Sequence, residues 1–116
     1  MTNINAVAIS GNLTRDAEKN GPAVKFTVAV NDRVKNGDEW EDYANYVPCV
    51  VFGRYGESLQ PKLRKGAKVA VEGRLRWSSW EKDGKKQSKL EVIAGTVEVM
   101  ASDRPADNLA DEEIPF

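Results

Sequence analysis

The sequence predicts an all-β domain: a small five-stranded Greek-key barrel with one short helix and extended hairpins. Three observations predict it. Apolar residues alternate with a period of two along five separate runs, β-branched residues crowd those runs, and Asn-Gly or Asp-Gly dipeptides fall between them. Side chains of a strand point alternately to its two faces, so each run has one face for a core and one for solvent.

The elements follow in order. AVAISGNL (Ala6–Leu13) puts Val7, Ile9 and Gly11 on one parity. VKFTVAV (Val24–Val30) alternates Val24, Phe26, Val28 and Val30 with Lys25, Thr27 and Ala29. YVPCVVF (Tyr46–Phe52) is a third β-rich run. KVAVEGRL (Lys68–Leu75) sets Val69, Val71 and Leu75 on one side. SKLEVIAGTVEVM (Ser88–Met100) reads as one strand, or as two joined at Gly95. KNGPA (Lys19–Ala23), VKNGDE (Val34–Glu39) and KDGKK (Lys82–Lys86) carry turn signals. In GRYGESLQPKLRKG (Gly53–Gly66), Tyr55, Leu59 and Leu63 lie four apart, as on one face of a helix. Pro61 limits that helix to one or two turns. Five strands with one short helix between the third and fourth is the element order of an OB fold. A small β-sandwich is the competing arrangement. The periodicity stops after Ala101, so residues 1–101 are read as the folded domain. Residues 102–116, polar and acidic, are read as a flexible tail.

Composition bounds the function. The chain has 116 residues, 41% apolar and 30% charged, as in one soluble domain. It shows no apolar run of membrane-spanning length and no secretory signal pattern at its start. A single cysteine, Cys49, makes an internal disulfide impossible and fits a reducing cytoplasm. There are 17 basic and 18 acidic residues, but five of the acids and only one base lie after Ser102. The body is therefore mildly basic and the tail acidic, a division that fits a nucleic-acid-binding body. There is no histidine, and one cysteine makes no thiolate metal site, so neither an enzyme nor a metal or other cofactor is expected.

Aromatic and basic residues carry more information. In GRLRWSSW (Gly73–Trp80), Arg74, Arg76, Ser78 and Trp80 share one parity, opposite to that of Val71, Leu75 and Trp77. A strand leaving the barrel would present two guanidinium groups and an indole together, a combination suited to phosphates and unpaired bases. The alternative is that Trp80 packs the hairpin against the body while the arginines are solvated. Tyr46 and Phe52 share a parity, and one of them is expected to touch the core. Trp77 has core parity and is expected to be buried, as is Cys49. Trp40 lies in a loop, as a contact or as a cover for the sheet edge.

These blocks together resemble the bacterial single-stranded DNA-binding proteins. NAVAISGNLTRDAE, KFTVAVND, YVPCVVFGRYGE and LRKGAKVAVEGRLRWSSWE look like that family's first four strands, and DEEIPF (Asp111–Phe116) like its C-terminal tip. The resemblance implies base stacking by Tyr46, Phe52 and Trp80, with Arg76 at a basic position before the last. Arg74, Lys82, Lys85 and Lys86 would add phosphate contacts. It implies a homotetramer and a tip, Asp111, Glu112, Glu113, Ile114, Pro115 and Phe116, that engages replication, recombination and repair proteins. An OB module serving chiefly as a protein-interaction accessory factor is the rival reading. The chain departs from the family pattern in two places. VNDRVKNG carries no aromatic where one is expected, and the linker before the tip, Ser102 to Ala110, is very short.

Overall fold

The computed structural model describes residues 2–101. Its strands are β1 (Val7–Leu13), β2 (Glu18–Asn20), β3 (Ala23–Asn36), β4 (Glu39–Phe52), β5 (Lys68–Lys82) and β6 (Lys85–Ala101). A helix, α1 (Gly53–Leu59), and a 3₁₀ turn (Gln60–Lys62) lie between β4 and β5. The sheet order is β1-β5-β6-β4-β3-β2, and β1 also pairs with β3. That extra pairing closes a five-stranded barrel of OB topology, with the three-residue β2 appended at one edge.

Closure depends on β1 serving two partners. It runs antiparallel to β5 from Val7↔Gly73 to Asn12↔Lys68, and reaches β3 at Asn12↔Ala29 and Leu13↔Val28. Gly11 lies at this crossing, where a Cβ would run into the Ala29 carbonyl oxygen. The ring is completed by a short parallel contact between β4 and β6, Cys49↔Val92 and Val50↔Ile93.

The core follows the period of two. Val24, Phe26 and Val28 of β3, Cys49 and Val51 of β4, Val69 and Val71 of β5 and Val92, Ala94 and Val97 of β6 form one buried cluster. Each such aliphatic side chain contributes about 1.5–3 kcal/mol on burial. On β6 the inward parity changes between Ala94 and Val97. Glu72 pairs with Thr96 and Gly73 with Ala94, leaving Gly95 as an extra residue. β6 is thus one strand with a bulge at Gly95, and the bulge lets an out-of-phase sequence keep one face inward.

The helix has two turns before the 3₁₀ turn, in which Pro61 is the second residue, and Leu59 and Leu63 enter the core. The Tyr55 hydroxyl reaches β6. It donates to the Val97 carbonyl at 3.2 Å and accepts from the Val97 N–H at 2.8 Å, just past the bulge.

Two hairpins extend beyond the barrel. β3 and β4 stay paired out to Asn36↔Glu39, and β5 and β6 out to Lys82↔Lys85. The second turn is Asp83-Gly84 with φ of 53° and 77°, the double left-handed conformation that Asp-Gly favours in a two-residue hairpin loop. The β5–β6 arm corrects one expectation. Trp77, expected in the core, is 59% exposed, and Leu75 on the same face is exposed too. The pairing of β5 with β1 ends at Gly73, so beyond that point the ribbon has no second layer to bury its inner face against.

Candidate nucleic-acid interface

Directly paired residues of neighbouring strands lie on the same face of a sheet, so the register assigns every side chain to the inside or the outside. On β4 the outer face carries Tyr46, Pro48, Val50 and Phe52, opposite the parity of core residues Cys49 and Val51. Across the parallel contact, Val50↔Ile93 puts Ile93, Glu91 and Lys89 of β6 on that face. Across the arm, Arg74↔Ile93, Arg76↔Glu91, Ser78↔Lys89, Trp80↔Gln87 and Lys82↔Lys85 add the outer side of β5. Tyr46, Phe52, Arg74, Arg76, Trp80, Lys82 and Lys85 therefore share one surface. Lys86 does not. It pairs with Glu81 on the opposite side of the arm, where Trp77 faces Leu90.

Neither Tyr46 nor Phe52 belongs to the core cluster, against the expectation that one would. The physical reason is their parity: both alternate with the inward residues of β4. Tyr46 is 67% exposed, whereas Phe52 and Trp80 are 41% and 42% exposed. Each of the two less exposed rings has a cation beside it. The Arg76 guanidinium lies 5.6 Å from the Phe52 ring centroid and the Lys89 ammonium 5.8 Å from the Trp80 ring. A ring has two faces; a cation on one leaves the other for a base.

Both cations converge on Glu91. Arg76 Nη2 donates to Glu91 Oε1 at 3.0 Å, and Lys89 Nζ lies 3.5 Å from Oε2. Glu91 is the one buried charged residue among those described. Beside it opens a depression of about 200 Å³ lined by Arg15, Glu18, Lys25, Thr27, Pro48 and Lys89. Lys25 belongs to the face by its register with Val50. The Cys49 thiol behind it is pushed up to about 12, first by burial and then by the Glu91 charge, so it is a neutral core group at physiological pH. Among the described residues no group of three or more His, Cys, Asp and Glu side chains is arranged to hold a metal ion. No helix among them is long and apolar enough to cross a membrane.

Sequence reasoning missed Lys25 and Lys89. The signal for Lys89 was present: counting back from an Asp83-Gly84 turn sets it opposite Ser78, one step from Trp80. Trp40 also falls on this face. It shares the parity of Tyr46, pairs with Lys35 and lies 5.9 Å from the Arg33 guanidinium, far out on the β3–β4 arm. The tip Asp111–Phe116 and the rest of the acidic tail lie outside the described residues.

Residues 4–100 match the model of the single-strand binding protein family. The chain belongs to that family. A single-stranded DNA-binding protein of Treponema pallidum is 43% identical over 107 residues, covering 88% of this chain and 61% of the relative. One of Borreliella burgdorferi is 37% identical over 121 residues, covering 98% of this chain and 81% of the relative. This member of the single-strand binding protein family thus spans about three fifths of the first relative's length and four fifths of the second's. Among solved structures, a deletion mutant of the single-stranded DNA-binding protein of Thermus aquaticus superposes with a TM-score of 0.75 at 27% identity. The match covers 86% of this chain and 52% of that one. A Plasmodium falciparum SSB in complex with ssDNA superposes with a TM-score of 0.72 at 21% identity, covering 86% of this chain and 96% of that one.

Proposed function

We propose that this chain binds single-stranded DNA without regard to sequence, coating and protecting it, and catalyses no reaction. One observation carries the reading: Tyr46, Phe52 and Trp80 share an outer face with Arg74 and Arg76. Every base has a flat π surface, so rings on that face accept any base and read no sequence. Phosphates between stacked bases meet Arg74, Arg76, Lys82 and Lys85, with Lys25 and Lys89 beside them. A duplex hides its base faces in the stack, so the same surface favours single strands. Family membership and the names of the relatives support the reading.

Titration of intrinsic tryptophan fluorescence with oligo-dT, and separately with duplex DNA, is the test. Strong quenching by the single strand alone is expected, and equal response to both would overturn the reading. Affinity should fall with salt, the log–log slope being about −0.7 per phosphate neutralised on a single strand.

The wider role is part of the same proposal. The chain assembles as a homotetramer, which joins several tracks of roughly 4–16 nucleotides each into a longer one. Its tip, Asp111–Phe116, brings replication, recombination and repair enzymes to the coated strand in the cytoplasm. The support is sequence resemblance: two large apolar side chains, Ile114 and Phe116, behind three acids. Light scattering coupled to size exclusion tests the assembly, and a monomer mass at micromolar concentration would contradict it.

A further inference from the structure

Glu91 is out of place for a surface meant to attract an anion. It is buried, it is charged, and it lies in the middle of the outer face. A carboxylate taken out of water needs compensating partners, and it has two: Arg76 on Oε1 and Lys89 on Oε2. Each partner also lies over an aromatic ring, Arg76 over Phe52 and Lys89 over Trp80. One side chain therefore joins two cations and two rings drawn from β4, β5 and β6.

We propose that Glu91 is a positioning residue for the single-strand interface, holding Arg76 and Lys89 so that Phe52 and Trp80 stand ready for stacking. The proposal rests on the binding reading above and deepens it. Glu91 uses one guanidinium N–H of Arg76, which carries five, and one ammonium contact of Lys89, which offers three donors. Both cations remain partly open to solvent, with side-chain exposures of 49% and 38% against 5% for the carboxylate. The spare donors are free for phosphate, and the group as a whole keeps a net positive charge. A long side chain fixed before binding has less entropy to lose when the strand arrives.

The sign of the effect separates this role from plain electrostatics. Replacing Glu91 by Gln removes a negative charge from the face, so a simple counter-charge would give equal or tighter DNA binding. A positioning residue gives weaker binding. The experiment is a four-cornered cycle on oligo-dT affinity: wild type, Glu91→Gln, Trp80→Ala and the double variant. Glu91→Gln is expected to weaken binding by roughly 2- to 10-fold, and that loss should shrink once Trp80 is gone, since only the Arg76–Phe52 pair is then left to position. Equal or tighter binding by Glu91→Gln overturns the proposal, and so does the same loss in both backgrounds, which would mark a general structural role. If circular dichroism finds Glu91→Gln unfolded, Glu91→Asp takes its place. It keeps the charge and withdraws the carboxylate by one methylene, and the same coupled loss is expected.

A readout without DNA keeps this inference distinct from the binding reading. With Trp40 and Trp77 replaced by Phe, Trp80 is the sole indole. Its emission and its quenching by acrylamide should then change on Glu91→Gln, and an unchanged signature overturns the positioning role. Failure of the wild-type chain to bind oligo-dT would instead refute the binding reading.

Discussion

The Tyr55 hydroxyl clasps both backbone polar groups of Val97, accepting from its N–H at 2.8 Å and donating to its carbonyl at 3.2 Å. These groups lie next to the bulge, where the β5–β6 ladder skips a residue. Phe at position 55 would leave them without that partner. Tyr55→Phe should cost about 1–3 kcal/mol, the range for an orphaned part-buried donor or acceptor. Urea unfolding measures it, and an unchanged midpoint would mean that water substitutes freely.

The two arm tryptophans should separate cleanly. Trp80 shares its face with the arginines, whereas Trp77 points to the other side of the ribbon. Trp80→Ala should weaken oligo-dT binding by roughly 5- to 150-fold, the equivalent of about 1–3 kcal/mol of stacking, with the fold retained by circular dichroism. Trp77→Ala should leave affinity nearly unchanged. The reverse result would assign the strand to the wrong face of the arm.

Two glycines should respond differently to the same change. Gly11→Ala sets a methyl against the Ala29 carbonyl where the barrel closes, so β1 must shift and the penalty should exceed about 2 kcal/mol. Gly37, in the β3–β4 turn, has open space around it and a φ of 68°. Gly37→Ala should cost only about 1–2 kcal/mol of left-handed strain. Thermal melts of the pair would rank them, and equal losses would show that closure tolerates a shifted β1.

Cys49 sets a limit at high pH. Its thiol is held at about 12 in the fold against 9.0 when unperturbed, so the folded state keeps its proton while the unfolded state gives it up. The stabilisation is fully present below pH 9 and is lost progressively as pH climbs toward 12. Cys49→Ala should flatten the alkaline part of the stability profile, although the smaller side chain lowers stability throughout. Native Cys49 should also resist alkylation at pH 8. Rapid labelling there would contradict a buried, protonated thiol.

The tip predicts a division of labour. Deleting Phe116 removes a ring, and the acids Asp111, Glu112 and Glu113 stay. Pull-down of replication and repair enzymes should be abolished, with oligo-dT affinity equal or slightly raised at low salt. A truncated chain that lost DNA and kept its partners would reverse the assignment.

How much of this was legible beforehand depends on the kind of information required. Parity within one strand put Arg74, Arg76 and Trp80 together, and Tyr46 with Phe52, because alternation is local. Whether those two sets share one face is not local. It depends on a two-pair parallel contact between β4 and β6, and no spacing in the sequence encodes it. Trp77 was misread for a related reason. Its parity is that of the core, but the core ends where β1 ends, and β1's register is fixed by tertiary pairing. Glu91 was invisible as a buried residue, since its neighbours in sequence, Lys89 and Leu90, look like an ordinary solvated strand.

The bulge at Gly95 has a consequence for how this strand tolerates changes of length. Because Gly95 is the extra residue, its deletion leaves Ala94 inside, Thr96 outside and Val97 inside, straightening β6 without turning any side chain over. Deleting Leu90 instead would force either the arm residues Lys85–Lys89 or the stretch from Glu91 to Ala94 to exchange faces, the second sending Val92 outward and Glu91 to the inner face. A one-codon deletion is therefore tolerated at the bulge, while most of the same strand is closed to it.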